Sequence, residues 1–130
     1  SGISTEDLEV NGDWSAASGE AAMRRLLEQS SDLEALFASN DQMALGAFQA
    51  ARNAGRRIPE DLAVVGFDDI PEAAYFDPPL TTIRQDLRRM GTLAVQLVHR
   101  NMEARRREEE FEPEVLWVQP ELIVRQSSNS

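Results

Sequence analysis

The sequence contains no lysine and no cysteine, and His99 is its single histidine. All 13 basic residues are therefore arginines. Without lysine there is no P-loop lysine, no Schiff-base lysine and no receiver-type phosphorylation site with its usual lysine. Without cysteine there is no disulfide framework, no thiolate nucleophile and no cysteine-based zinc site, and the redox compartment is left open. His99 lies in an amphipathic stretch with no Asp or Ser at a recognisable spacing. It is expected on a helix surface or in packing, because one imidazole does not make a metal site. No apolar run approaches the ~20 residues that span a bilayer, so no membrane partner is expected, and no secretory signal is visible.

Positive charge is scarce relative to negative. The net charge is −10, whereas a nucleic-acid surface normally needs a basic patch to displace counterions from phosphates. The only dense basic run, Arg105 to Arg107, is followed at once by Glu108 to Glu110, the pattern of a solvated helix end. What is present suits a soluble globular chain: 42% hydrophobic and 28% charged residues over 130 positions, about one domain's worth.

Helical and strand patterns alternate, the mark of an α/β chain with a mainly parallel sheet. Leu8 to Val10 reads as a short strand ending in the turn Asn11-Gly12-Asp13. A helix is expected from about Ser15 to Gln29, with Ala22, Met23, Leu26 and Leu27 on one side and Asp13 or Ser15 as its cap. Ala35 to Ala38 is long enough for one buried strand. A second helix follows from Ser39-Asn40-Asp41 and closes at Gly55, which is well placed as a left-handed C′ residue. The continuously apolar run from Leu62 to Phe67 predicts a strand covered on both faces. Pro71 to Pro79 is a loop with a helical turn near Glu72 to Tyr75, and Leu80 to Ile83 is a strand. Asp86 caps a helix to about Arg105, whose apolar stripe comprises Leu87, Met90, Ala94, Leu97, Val98 and Met102. Val115 to Val118 and Leu122 to Val124 read as strands broken by Pro120, and the polar tail is expected to fray.

In such sheets ligands bind beyond the carboxyl ends of the strands. Three of these ends carry polar groups: Ser39, Asn40 and Asp41; Asp68 and Asp69; Arg84, Gln85 and Asp86. Trp14 lies beyond the Leu8 strand. Carboxylates and amides that grip hydroxyl pairs, with an aromatic plate for the apolar face of a sugar, form a carbohydrate-site inventory. Capping is the leading reading for Asp41 and Asp86. Asp68 points to a ligand role, because no long helix follows it, while Asp69 could equally orient the loop. Trp14 divides evenly between plate and packing, and Phe37 alone reads as core. Two enzyme readings use the same residues: an aspartyl-phosphate or Mg²⁺ site at Asp68-Asp69, and a glycosidase carboxylate pair. The missing lysine opposes the first. The second has no fixed separation and no partner acid on a comparable strand end.

Several local sequences resemble the lac-repressor (LacI/GalR) family of transcriptional regulators. They are Gly12-Asp13-Trp14-Ser15-Ala16-Ala17-Ser18-Gly19, Asn40-Asp41-Gln42-Met43-Ala44-Leu45-Gly46-Ala47, the stretch from Gly55 through Pro59-Glu60-Asp61-Leu62 to Asp68-Asp69-Ile70, and Pro78-Pro79-Leu80-Thr81-Thr82-Ile83-Arg84-Gln85-Asp86 followed by a helix with Gly91. They stand in the family's order and cover most of residues 12 to 91. Pro120 to Val124 fits as well.

The resemblance implies a type I periplasmic-binding-protein-like fold, α/β and doubly wound around a mainly parallel sheet, with an effector between two subdomains. Asp68 would bond effector hydroxyls, Asn40 and Gln85 would line the same cleft, Trp14 would form its aromatic wall, and Phe37 occupies an effector-touching position. The effector would be a sugar or glycoside. A homodimer or higher homo-oligomer would form through Ala16 to Glu20, Leu45 to Gln49 and the segment Ala73 to Phe76, where Ala74, Tyr75 and Phe76 stand. Residues 1–85 would be a partial C-terminal subdomain, 86–110 a helix that in the family crosses to the N-terminal subdomain, and 111–130 strands that return. Operator DNA would be bound only through an N-terminal unit outside this chain, in the cytoplasm. The resemblance implies no cofactor, no metal and no enzymatic activity. An extracytoplasmic sugar-binding protein of the same fold is the alternative, and a carboxylate- or Mg²⁺-dependent hydrolase the distant third.

Overall fold

Ser15 starts the first helix by accepting the Ser18 N–H at 3.1 Å, and the helix, α1, runs over Ala16–Gln29. The structure, a computed structural model, describes residues 8–110 and 112–129. After β1 (Ala35–Phe37), Asn40 caps α2 (Asp41–Asn53) in the same way, its side chain accepting the Met43 N–H at 2.8 Å. Gly55, at φ 72°, closes α2 in the left-handed region. The Arg56 N–H bonds the Ala51 carbonyl at 2.9 Å and the Gly55 N–H bonds that of Arg52 at 2.9 Å, so the exposed end of the helix is satisfied. β2 (Ala63–Phe67), a 3-10 turn (Pro71–Tyr75) and β3 (Thr81–Arg84) follow.

β1, β2 and β3 are parallel neighbours, with Phe37 opposite Val65 and Val65 opposite Thr81. The sheet is four-stranded in the order β1-β2-β3-β4, where β4 is Glu121–Ile123. Its core is formed by Met43, Ala44, Ala47, Phe48 and Ala51 of α2 against Leu62, Val64 and Leu80, with Met23 contributed by α1. Coverage of β2 is uneven: Val64 and Gly66 are buried, whereas Ala63, Val65 and Phe67 are only half-buried. The apolar run thus overstates how fully the second face is covered.

Where α1 and α2 cross at Gly19 and Gly46, backbone meets backbone with no side chain between. A Cβ on Gly46 would stand 1.8 Å from the Ala16 carbonyl oxygen, and one on Gly19 would stand 2.1 Å from that of Met43. Both positions require glycine because backbone faces backbone.

The chain divides into two units, residues 1–84 with 122–130, and residues 85–121. In the second unit Asp86 caps α3 (Leu87–Arg106) by accepting the Arg89 N–H at 2.9 Å. α3 has no buried residue, and Leu87, Met90, Val98 and Met102 of its apolar stripe are exposed. His99 is exposed on the same helix.

Three expectations are corrected. Leu8 to Val10 forms no strand, and neither does Val115 to Val118; Val115, Leu116 and Trp117 are exposed. A short apolar run becomes a strand only where a neighbour offers its backbone, and no described strand does so here. The tail is ordered as far as it is described: Gln126–Ser128 is a 3-10 turn, and Ser127 is fully buried.

Candidate functional site

The Trp14 backbone stands at φ 72°, and its carbonyl accepts the Asn40 side-chain N–H at 2.9 Å. Asn40, itself buried, therefore uses both ends of its amide: the oxygen caps α2 and the nitrogen holds Trp14 in place. The turn before Trp14 is fixed by Asp13, which accepts the Ser15 hydroxyl at 2.5 Å and the Ser15 N–H at 3.1 Å. The hydroxyls of Ser15 and Ser18 pull the Asp13 carboxyl below its ordinary value. The Trp14 residue remains 65% exposed beside the start of α2. Phe37 ends β1 and is also exposed.

Asp68 and Asp69 follow β2, both in left-handed backbone at φ 105° and 50°. Such conformations persist in non-glycine residues only where the surroundings hold them. Three consecutive N–H groups are held here. That of Asp68 bonds the Ile83 carbonyl at 2.9 Å, that of Asp69 the Thr82 hydroxyl at 3.3 Å, and that of Ile70 the Asp41 carboxylate at 2.9 Å.

Asp41 was expected to cap a helix and does not; Asn40 takes that place. Asp41 is instead fully buried, and its other oxygen accepts the Thr82 hydroxyl at 2.6 Å. A Cβ on Gly66 would sit 2.3 Å from that oxygen, so β2 needs glycine to let the carboxylate in. Burial raises the Asp41 pKa above the ordinary carboxylate value. The bonds from Thr82 and Ile70 pull against that rise, and the nearby charges of Asp68 and Asp69 add to it.

Asp69 turns away from ligand chemistry. Its carboxylate takes Arg84 Nε on one oxygen at 2.6 Å and Arg125 Nη2 on the other at 2.7 Å, and its side chain is only 7% exposed. Burial works to raise its pKa, but the two guanidinium groups win and hold it below the ordinary value. Arg125 also donates to the Leu80 carbonyl at 2.8 Å, while its own N–H and carbonyl both bond the Thr81 hydroxyl. Beside it the Ser127 hydroxyl donates to the Val64 carbonyl at 2.6 Å and accepts the Thr81 N–H at 2.7 Å.

Asp68 is exposed at the tip of this scaffold. The first unit thus gathers Asp68, Asn40, Trp14 and Phe37 at the carboxyl ends of β1 and β2 and the start of α2. Gln85 begins the second unit, where its carbonyl accepts the Leu87 N–H at 3.0 Å. The sequence reading gave Asp41 the wrong task and missed Thr82, Arg125 and Ser127. One signal was available for Asp41: Asn40 already supplies the cap, so the next carboxylate was free for another task. Arg125 also stood out as a lone charge closing an apolar strand.

Of the residues expected at a contact between copies, Tyr75 is 87% exposed, and Leu45, Gln49 and Ala74 are exposed as well. Ala16 and Glu20 are half-buried, with Glu20 ion-paired to Arg24. Phe76 requires correction as a surface anchor. It is buried with its ring 5.5 Å from that of Phe48, edge to face, because the 3-10 turn folds it under the chain.

Parallel strands joined through helices and carrying polar residues at their carboxyl ends build a domain like the periplasmic binding proteins. Residues 1–128 match the periplasmic binding protein-like domain family, and the chain belongs to it. It is 41% identical over 120 residues to the HTH-type transcriptional repressor PurR of Aliivibrio fischeri (strain MJ11), covering 91% of this chain and 34% of that protein. It is 41% identical over 122 residues to the HTH-type transcriptional regulator CelR of Thermobifida fusca, covering 94% and 35%. The chain therefore spans about a third of the length of these relatives. Among solved structures, a CelR–cellobiose complex superposes with a TM-score of 0.79 at 41% identity, over 90% of this chain and 35% of that one. The lac repressor dimer bound to operator and the anti-inducer ONPF superposes with a TM-score of 0.77 at 34% identity, over 92% and 40%.

Proposed function

We propose that this chain is the effector-sensing and dimerisation portion of a cytoplasmic bacterial transcriptional repressor, and that its effector is a sugar or glycoside. The observation that carries the reading is the exposed Asp68 carboxylate on a rigidly held loop, at the same sheet end as the exposed Trp14, which the buried Asn40 amide holds in place rather than offering itself to a ligand. A carboxylate accepts from two neighbouring hydroxyls, and an aromatic face covers sugar C–H groups. The relatives add support: CelR has been captured with cellobiose, and the lac repressor as a dimer on operator. Phe37, exposed at the end of β1, completes the proposed lining within the first unit. Binding to operator would belong to the rest of the full-length protein, and the exposed Tyr75 and Leu45 surface would meet a second copy.

Sensing is favoured over catalysis because Asp69 is committed to two arginines. That leaves Asp68 without the adjacent free carboxylate that a two-carboxylate metal or glycosidase site requires. The test is calorimetric titration of the full-length protein with a sugar panel that includes cellobiose and lactose, with Asp68→Ala alongside. The lost charge-assisted hydrogen bonds should cost about 2–4 kcal/mol, roughly 30- to 1,000-fold in affinity. Unchanged affinity in the variant would sink the assignment.

A further inference from the structure

Asp69 is gripped at both carboxylate oxygens, and the two arginines come from opposite ends of one excursion. Arg84 is the last residue before the chain leaves the first unit, and Arg125 lies just after it re-enters at Leu122. The two grips differ. The Arg84 side chain is half exposed, whereas that of Arg125 is 18% exposed and also holds the Leu80 carbonyl, with its backbone tied to the Thr81 hydroxyl. Asp69 is covalently next to Asp68, and both residues hold left-handed backbone that must be enforced from outside.

We propose that Arg125, acting through Asp69, is the positioning residue that sets where the Asp68 carboxylate meets a polyhydroxylated effector. The inference rests on the reading that Asp68 binds that effector. A fork-shaped guanidinium is suited to the task because it reaches Asp69 and Leu80 together, whereas one ammonium is a point charge that serves either. The charge pair also explains why Asp69 stays ionised despite its burial.

The test uses the full-length protein with Arg125→Gln, Arg125→Lys, Asp68→Ala and the double variant Asp68→Ala/Arg125→Gln. Without sugar, hydrogen exchange in peptides covering residues 67–70 should speed up about tenfold or more in Arg125→Gln, while peptides of α2 exchange as in the parent. Titration with cellobiose and lactose should show Arg125→Gln weakening the bound sugar about tenfold or more, with Arg125→Lys between it and the parent. In the Asp68→Ala background the same change should add less than about twofold, since residues acting as one unit are not additive. Unaltered exchange at 67–70 overturns the proposal, as does an equal loss in both backgrounds, which is the mark of general destabilisation. If Asp68→Ala weakens binding and Arg125→Gln does not, only this inference falls. If Asp68→Ala binds like the parent, the effector reading falls and takes this with it. Should Arg125→Gln not fold, Arg125→Lys carries both comparisons, and should neither sugar bind the parent, the exchange result decides.

Discussion

Thr82→Val tests whether the buried Asp41 carboxylate fastens the loop as its geometry indicates. Valine nearly matches threonine in shape, so packing is kept while one hydroxyl is lost. That hydroxyl donates to Asp41 at 2.6 Å and accepts the Asp69 N–H at 3.3 Å, at a site with no exposure. A hydrogen bond to a charged acceptor contributes about 1.5–3 kcal/mol. The Asp69 contact, long as it is, adds less than ~1 kcal/mol, and the new methyl returns about 0.8 kcal/mol. The net loss should be about 1–3 kcal/mol, a large share of the roughly 5–15 kcal/mol that holds a domain together.

The loss should also depend on pH. The folded Asp41 pKa is already raised by burial, so folding favours the protonated form, and its ionisation costs stability as pH rises through the window between the unfolded and folded values. Removing the Thr82 donor removes a pull in the lowering direction, so the folded value rises further and the window widens. The deficit of Thr82→Val against the parent should therefore be larger at pH 7.5 and shrink as the solution is acidified through the raised range. Urea denaturation followed by circular dichroism at several pH values measures both quantities. A deficit below about 0.5 kcal/mol at pH 7.5, or one that does not change with pH, would refute the fastening argument.

Two further outcomes follow from the helix pair and the exposed rim. Gly46→Ala places a methyl 1.8 Å from the Ala16 carbonyl, and the strain of about 1–3 kcal/mol or more outweighs the ~1 kcal/mol helix-propensity gain; thermal denaturation should show a lower midpoint. Tyr75→Asp should shift the full-length protein toward smaller species in light scattering across a concentration series while leaving its melting midpoint within about 2 °C. An unchanged association profile would place the contact between copies elsewhere.

The helices were legible because each announces itself twice, by an apolar stripe and by a cap. Ser15 and Asp86 cap as expected, Asn40 caps one residue before the Asp41 that was expected to, and Gly55 ends α2 where left-handed backbone is needed. The placement of the candidate residues was legible in part: Asp68 and Trp14 stand exposed at the carboxyl end of the sheet, whereas Asn40, at the same end, is buried and spent on the α2 cap and the Trp14 carbonyl. What lay beyond reading was burial achieved through hydrogen bonds. Ser127 is fully buried because its hydroxyl joins Val64 to Thr81, and a hydropathy pattern weighs a serine as solvent-facing. Arg125 and Asp69 satisfy each other across 56 positions of sequence, a pairing that local spacing cannot reveal. Phe76 misled for another reason: the resemblance set it beside Tyr75 in the segment expected to meet a second copy, and the tight 3-10 turn sends the two rings to different fates.

The bare contact of Gly19 and Gly46 has a mechanical consequence. Interfaces padded with side chains can creep, because rotamers absorb small displacements; at this crossing peptide group meets peptide group, and nothing there compresses. α1 and α2 should therefore travel as a single stiff beam. At one end of that beam Asn40 carries Trp14; along its flank lie Ala16, Glu20, Leu45 and Gln49. The 13 residues of α2 extend about 20 Å, so a tilt of about 5° at the Asn40 end moves the far end by about 1.7 Å. Any shift that a small molecule imposes on Trp14 would thus arrive undamped at the surface where another copy would rest.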